Sequence, residues 1–119
     1  MYFINLDNTD IPCKKKIVID DETFILHIKY RAYDDRSIVD LYDEFENALG
    51  VGEKLVFGVP IFYYMLKDNK GNYNNKFPKQ FIVPYSVDGK EKETNLENFG
   101  KEYFLTVFEQ EEFFNLIKK

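Results

Sequence analysis

Residues 23–62 read TFILHIKYRAYDDRSIVDLYDEFENALGVGEKLVFGVPIF, and this stretch decides the fold. Its first part, residues 23–33, alternates between apolar and mostly polar side chains, which is the period-two pattern of a half-buried β-strand. One face of that strand carries Phe24, Leu26, Ile28 and Tyr30. A second strand is predicted over residues 38–45, and a loop over residues 46–53 leads to a third over residues 55–66, bent by glycine and proline. The stretch therefore predicts an antiparallel meander.

The rest of the chain continues the pattern of short strands separated by turn residues. Further strands are predicted over residues 2–6, 13–19, 80–85 and 103–108. A single helical turn is predicted over residues 95–99, with Gly100 as its C-cap. Residues 111–119 place glutamates before and lysines after an apolar centre, an order that suits a helix dipole. We therefore expect an all-β, mainly antiparallel barrel or sandwich of about six to eight short strands, with a short helical C-terminal tail.

Length and charge limit the classes of protein to which this chain could belong. A chain of 119 residues fits one β-domain over residues 1–119, in which residues 111–119 are a candidate C-terminal docking segment. The net charge of -5 and the pI of about 4.9 argue against nucleic-acid binding, which usually needs a basic surface. The one basic run, Lys14-Lys15-Lys16, is interpreted as a solvated strand edge. No stretch is long and apolar enough to span a bilayer and the N-terminus has no signal-peptide pattern, so we expect cytoplasmic synthesis and no membrane association.

The sequence predicts no catalytic, metal-binding or cofactor-binding residues. It contains a single cysteine, Cys13, and a single histidine, His27, which are too few for an ordinary zinc site. A nucleophilic Cys13–His27 pair on facing strands is one open alternative, and a buried cysteine with a surface histidine is the other. Acidic clusters around Asp20, Asp34 and Asp40 leave open a hard-cation site or a catalytic carboxylate pair, although turns often carry such residues without a metal.

Aromatic residues are the strongest remaining signal. The chain has 12 Phe and 9 Tyr, which together make up 18% of its residues. A two-layer core that uses all of them is one interpretation. The other is that some form a protein interface, where Phe and Tyr are enriched. The predicted interface residues are Tyr63, Tyr64, Phe113, Phe114, Leu116 and Ile117.

Residues 13–109 resemble a family of phage baseplate plug proteins, which occur in the contractile tails of simple myophages and in phage-tail-like bacteriocins. Members share a strand that alternates aromatic and basic residues, followed by a strand that ends in a Leu-Asp-Leu-Tyr-Asp-like segment. A glycine-containing loop, a Leu-Val-x-Gly-Val-like strand, a Leu-Gly-like turn and a final strand come next. The matching segments are residues 24–33, Val39-Asp40-Leu41-Tyr42-Asp43, Gly50, Leu55-Val56-Phe57-Gly58-Val59-Pro60-Ile61, Leu96, Phe99-Gly100 and residues 103–108.

The resemblance implies a non-enzymatic structural protein of a virion or tailocin particle, made in the bacterial host cytoplasm. It implies a plug in the central hub of the baseplate that contacts hub, tail-tube and spike proteins, with the tape measure as a further candidate partner. The three-fold or six-fold symmetry of these assemblies implies several copies per particle. Removal of residues 111–119 is expected to weaken assembly without unfolding the domain.

Two other classes of function stay open at this point. One is a small ligand-binding β-barrel for carbohydrate or single-stranded nucleic acid, which would need aromatic side chains on an exposed concave face. The other is an enzyme, which would need a cleft with suitably spaced carboxylates or a bound metal.

Overall fold

Two antiparallel sheets pack against each other in the computed structural model, which describes residues 1–67 and 70–117. The strands are β1 (Tyr2–Phe3), β2 (Cys13–Ile19), β3 (Glu22–Arg31), β4 (Arg36–Asp43), β5 (Ala48–Lys54), β6 (Phe81–Tyr85) and β7 (Phe104–Phe108). One sheet has the order β1-β7-β6, and the other has the order β2-β3-β4-β5. A helix, α1 (Gln110–Ile117), follows β7. The predicted antiparallel all-β fold with a helical tail is confirmed, and its architecture is a small sandwich.

The β2–β3 hairpin is the most regular part of the four-stranded sheet. Asp20 and Asp21 join the two strands with φ angles of 56° and 65°, the left-handed pair that a two-residue hairpin turn requires. Aspartate tolerates this region better than most residues do. Ile19 and Glu22 form the closing pair and set the register of the whole hairpin. The two residues of this closing pair are hydrogen-bonded to each other. Counting back along β2 from Ile19, every second residue therefore bonds to β3, and the backbone N–H and C=O groups of the residues in between point away from β3.

The loop predicted over residues 46–53 is wrong, because β5 occupies most of it. The ladder between β4 and β5 is interrupted by register shifts. At this bulge the Asp40 carboxylate accepts a hydrogen bond from the Gly52 N–H at 2.8 Å, in place of a ladder partner. Gly52 has a φ of 78°, and a Cβ on Gly50 would lie 2.7 Å from the Phe62 ring. The glycines that indicated a loop therefore belong to an irregular strand.

The strand predicted over residues 55–66 is also wrong. Residues 55–62, here called the crossover segment, pass from the four-stranded sheet to the three-stranded sheet. The first N–H of the segment donates to β4 at 3.1 Å, and the N–H groups of Gly58 and Ile61 donate to β6 at 2.8 Å each. A regular antiparallel pair would bond at every second residue, and Pro60 has no N–H to donate. The segment therefore ties the two sheets together without being a strand.

Phe62 ends the crossover segment inside the core. Its backbone is left-handed, with a φ of 55°, and its N–H donates to the Glu53 carboxylate. Its ring is fully buried between Gly50 and Phe77, whose ring centroid lies 6.2 Å away. The chain then turns into a short 3-10 helix, Tyr63–Met65, on the surface.

The alternation of the first predicted strand is largely confirmed. Phe24, Leu26 and Ile28 are buried in the core. Tyr30, which the alternation places on the same face, is 39% exposed, and its hydroxyl donates to the Asp35 carboxylate in the adjoining turn at 2.9 Å. The opposing sheet contributes Val83, Leu105, Val107 and Phe108 to the core.

Gly100 is not the helix C-cap that the sequence predicts. Residues 95–100 form turns, and the Gly100 N–H donates to the Tyr103 carbonyl oxygen at 2.8 Å. The φ of Gly100 is 76°, and a Cβ at this position would lie 2.4 Å from the Cα of Asp7. Glycine is therefore required both by the backbone conformation and by the N-terminal segment packed against it.

Replacing Gly100 with alanine should destabilise the fold by more than its backbone conformation alone explains. Gly71→Ala is the matched control, because Gly71 has a φ of 82° and open space around it. Both variants carry left-handed strain of about 1–2 kcal/mol, and Gly100→Ala adds overpacking against Asp7 of about 1–3 kcal/mol. Urea denaturation followed by circular dichroism measures both free energies of unfolding. Equal losses in the two variants would contradict the packing role of Gly100.

Candidate interaction surface

The fold brings three of the six predicted interface residues around one depression. Tyr63 and Tyr64 lie on the short 3-10 helix, and Phe114 lies on α1. Tyr64 is 73% exposed, Tyr63 is also exposed, and Phe114 is partly buried. These three residues, with Phe81 beneath them, are here called the aromatic surface.

Phe81, the first residue of β6, holds the aromatic surface together. Its ring makes edge-to-face contacts with the rings of Tyr63, Phe113 and Phe114, with centroids 5.7, 5.6 and 5.6 Å away. Contacts of this geometry contribute about 0.5–1.5 kcal/mol each beyond the burial of apolar area. Hydrogen bonds fix β6 on both sides, to β7 and to the crossover segment. The sandwich itself therefore positions these rings.

The depression between the 3-10 helix and α1 is an apolar cavity of about 220 Å³. Besides the aromatic surface, Leu66, Lys67, Tyr73 and Gln110 line it. The Tyr73 hydroxyl donates to the Pro78 carbonyl oxygen, and burial raises the pKa of that hydroxyl. Sites for drug-sized ligands usually span about 300–1,000 Å³. The cavity is therefore better matched to one large apolar side chain than to a small-molecule ligand.

Sequence reasoning missed Phe81 and Tyr73 as parts of this site. Phe81 reads as an ordinary strand residue, and its contacts with the tail come from tertiary packing alone. Tyr73 lies in a polar stretch, residues 67–76, whose Asn, Lys and Gly content is typical of an exposed loop; residues 68 and 69 of this stretch lie outside the described residues. It is nevertheless half-buried and forms a β-bridge with Lys67. A single aromatic residue among Asn, Lys and Gly was the one local signal.

Phe113, also predicted as an interface residue, is part of the core. It is 4% exposed, and its ring centroid lies 5.6 Å from those of both Phe81 and Phe108. Deleting residues 111–119 would therefore open the core. The expectation that such a truncation leaves the domain intact does not fit this packing.

Leu116 and Ile117 lie on the exposed part of α1, and Ile117 is 60% exposed. Leu116 borders a second shallow depression beside Glu112. Lys118 and Lys119, which the sequence places at the end of the helix, lie outside the described residues. The interface roles of the six residues stay predictions, with Phe113 already engaged within the fold.

The outer face of the four-stranded sheet contains a buried carboxylate. Asp40 in β4 is 2% exposed, and its Oδ2 lies 2.8 Å from the Lys29 Nζ and 3.7 Å from the His27 Nδ1. Burial by itself would raise the pKa of Asp40, but hydrogen bonds from Lys29 and the Gly52 N–H outweigh burial and hold that pKa below its ordinary value. Asp40 therefore stabilises the irregular pairing of β4 with β5 at the bulge.

The nucleophilic Cys13–His27 pair does not form. Cys13 lies opposite Ile28 and His27 lies opposite Lys14, so the Cys13 and His27 side chains point to opposite faces of the sheet. Burial raises the pKa of the Cys13 thiol, whereas an activated thiol has a lowered pKa.

Within residues 1–67 and 70–117, no group of three or more His, Cys, Asp and Glu side chains is placed so that it could hold a metal ion. None of the helices in these ranges has the length and apolarity needed to cross a membrane.

A family model described as cyanophage baseplate Pam3 plug gp18 matches residues 1–111 of the chain. The matched part contains both sheets and the crossover segment, and from the aromatic surface it includes Tyr63, Tyr64 and Phe81. No curated protein matches the chain.

Phe113→Ala should lower the free energy of unfolding by about 3–5 kcal/mol, because it leaves a cavity against Phe81 and Phe108. Ile117→Ala, one turn further along the same helix, is the matched control and should change stability by no more than about 0.5 kcal/mol. Urea denaturation measures both variants. A Phe113→Ala protein as stable as the wild type would show that α1 does not belong to the core.

Asp40→Asn should lower stability at neutral pH by about 1–3 kcal/mol, because it removes the buried charge that Lys29 faces. The pKa of Asp40 is lower in the folded state than in the unfolded state. The carboxylate therefore stabilises the fold above its unfolded pKa, and this contribution is lost as pH falls through the folded pKa. The stability gap between wild type and variant should close as the pH falls below about 4.

Urea denaturation at a series of pH values measures this gap. Asp20→Asn makes the same charge change in the exposed hairpin turn, where asparagine also tolerates a left-handed backbone, and should show little gap at any pH. A gap for Asp40→Asn that stays constant into strong acid would contradict a charge-based role.

Proposed function

The chain belongs to the phage baseplate plug family, and on that basis we propose that it is a non-enzymatic structural plug in the central hub of a contractile phage tail or tailocin baseplate. The single observation that carries the proposal is the family match over residues 1–111. The same match confirms the family that residues 13–109 resemble at the level of sequence.

A plug functions inside an assembly, so its partners are other components of the baseplate. We propose contacts with hub, tail-tube and spike proteins, with the tape measure as a further candidate. The three-fold or six-fold symmetry of such assemblies would set the copy number. The proposed location is the tail of a virion or tailocin particle, after synthesis in the host cytoplasm. The proposal includes neither membrane association nor nucleic-acid binding.

The aromatic surface is the proposed contact with these partners. Aromatic side chains are enriched at interface centres, and those that anchor in well-packed pockets contribute most of the binding energy. Tyr64 and Ile117 are largely exposed apolar side chains, and the cavity beside Tyr64 is of a size to take one apolar side chain of a partner. Because Phe81 already holds the rings of Tyr63 and Phe114 in place, these two side chains lose little conformational entropy on binding.

A small ligand-binding barrel has less support. The described strands form two separate sheets and not a closed barrel, and the cavity that the aromatic surface lines is smaller than an ordinary small-molecule site. Carbohydrate binding would still show as chemical-shift changes at Tyr63 and Tyr64 in an oligosaccharide titration.

The combined variant Tyr64→Ala/Ile117→Ala should reduce incorporation into assembled tails by about tenfold or more, since loss of an interface anchor commonly costs that much in affinity. Its free energy of unfolding should stay close to that of the wild type, because both side chains are exposed. Co-expression with the tail genes encoded beside it, followed by quantitative mass spectrometry of purified tails, measures incorporation.

Tyr33→Ala is the matched control for that experiment. Tyr33 is 82% exposed in the turn after β3 and takes no part in the aromatic surface. Equal incorporation of both variants would contradict the interface roles proposed for Tyr64 and Ile117. Absence of the wild-type chain from purified tails would overturn the proposed function itself.

A further inference from the structure

β2 is an edge strand with one unused side. It pairs with β3 only, and across residues 1–67 and 70–117 no other backbone group bonds to residues 13–19. The hydrogen-bonded closing pair of the hairpin directs the N–H and C=O groups of Lys14, Lys16 and Val18 away from β3. A second observation gives the same direction: the Val18 carbonyl oxygen accepts a hydrogen bond from the hydroxyl of Tyr2 in β1, at 3.2 Å. Lys14 and Lys16 therefore present an open row of backbone donors and acceptors.

The side chains along this row are cationic. Lys14 and Lys16 are exposed on the outer face of the sheet, and neither forms an ion pair within the described residues. Glu46 lines the same shallow depression as Lys14 without pairing with it. Among the described strand residues on this face, Asp40 is the one carboxylate, and Lys29 already neutralises it. The face also carries Arg36 and Lys54, whereas its Arg31 is already ion-paired with Asp34 at 2.6 Å.

The charges on this edge decide what can pair with it. A second copy joined edge to edge through β2 would set Lys14 and Lys16 against lysines, and like charges directly opposite each other destabilise a strand pair. In an antiparallel pair, residues directly opposite each other have side chains on the same face. Glutamates or aspartates at alternate positions of an incoming strand would therefore lie beside Lys14 and Lys16.

We propose that the open edge of β2 binds an extended, acid-rich segment of a partner protein, which adds to the four-stranded sheet as a further strand. Main-chain hydrogen bonds at Lys14 and Lys16 supply the affinity, and the two lysine side chains supply the selectivity for an acidic sequence. The run of lysines has two effects on one edge: it prevents self-association and selects the partner. The identification of that partner as a baseplate component rests on the proposed function, whereas the binding chemistry does not.

The test uses the full chain, labelled with ¹⁵N, and a capped peptide of about eight residues that alternates glutamate with threonine or valine. The peptide should shift the amide signals of Lys14 and Lys16 and slow their hydrogen exchange. A peptide with lysine in place of glutamate is the matched probe and should leave these amides unchanged.

Separate variants test the contribution of the lysine charges and that of the backbone hydrogen bonds. Lys14→Glu/Lys16→Glu should weaken binding of the acidic peptide by at least about tenfold, because two favourable cross-strand pairs become repulsive. Lys79→Glu/Lys90→Glu makes the same net charge change at exposed positions away from β2 and should bind normally. Lys16→Pro removes one outward N–H that the fold does not use, so it should bind more weakly while the chain stays folded. Lys15→Pro, by contrast, removes a hydrogen bond to β3 and should destabilise the chain.

The outcomes distinguish the proposals. Peptide-induced shifts confined to Tyr63, Tyr64 and Phe114 would overturn the β2 assignment. So would a dimer through β2, detected by sedimentation, or a single-stranded oligonucleotide that binds this face more tightly than the acidic peptide. If the peptide fails to bind while the wild-type chain still enters purified tails, the edge proposal fails and the baseplate function stands. If the peptide binds but the chain is absent from tails, the edge proposal stands and the baseplate function fails.

Discussion

The insertion of Phe62 between the two sheets is the constraint on which the rest of the structure depends. Its ring fills the space left by Gly50 in β5 and packs towards Phe77, while its N–H is bonded to Glu53 in the same strand. The crossover segment that leads to Phe62 is bonded first to β4 and then to β6, so one short stretch fixes both layers of the sandwich. The 3-10 helix begins directly after Phe62, and its first residue, Tyr63, packs against the ring of Phe81. Packing in the core thus determines where the aromatic surface lies.

The aromatic surface and the open edge of β2 offer different kinds of interaction to a partner. The aromatic surface offers rigid apolar rings and a small cavity, which favour a slowly dissociating contact with a partner of complementary shape. The open edge of β2 offers unpaired backbone groups framed by lysines, where charge controls which sequences can pair. Although the net charge of the chain is -5, the exposed side chains beside this edge are Lys14 and Lys16, so the edge can distinguish neighbouring segments by their charge.

Local patterns in the sequence predicted a good part of this fold. The alternation of residues 23–33 and the charge order of the tail both depend on neighbouring residues, and the strand and the helix that they indicate are present. The mistakes at residues 46–66 have a different cause. Gly50 and Gly52 read as a loop because their roles, contact with Phe62 and a bulge bonded to Asp40, exist only after the sheets have packed. The β-branched and aromatic residues of the crossover segment read as a strand, because burial in a crossover favours the same residue types as a strand does.

The contacts of the aromatic surface likewise come from tertiary packing. The sequence could therefore nominate Tyr63, Tyr64 and Phe114 as surface aromatics but could not show that Phe81 joins them or that Phe113 belongs to the core.

We propose that the sandwich presents the aromatic surface to another component of the baseplate. Electron cryomicroscopy of assembled tails that contain this chain would show whether it does. Tyr63, Tyr64 and the cavity beside them should be covered by a different baseplate protein, with an apolar side chain of that protein in the cavity. A map in which the chain occupies the baseplate while this surface faces solvent in every copy would rule out the proposed contact.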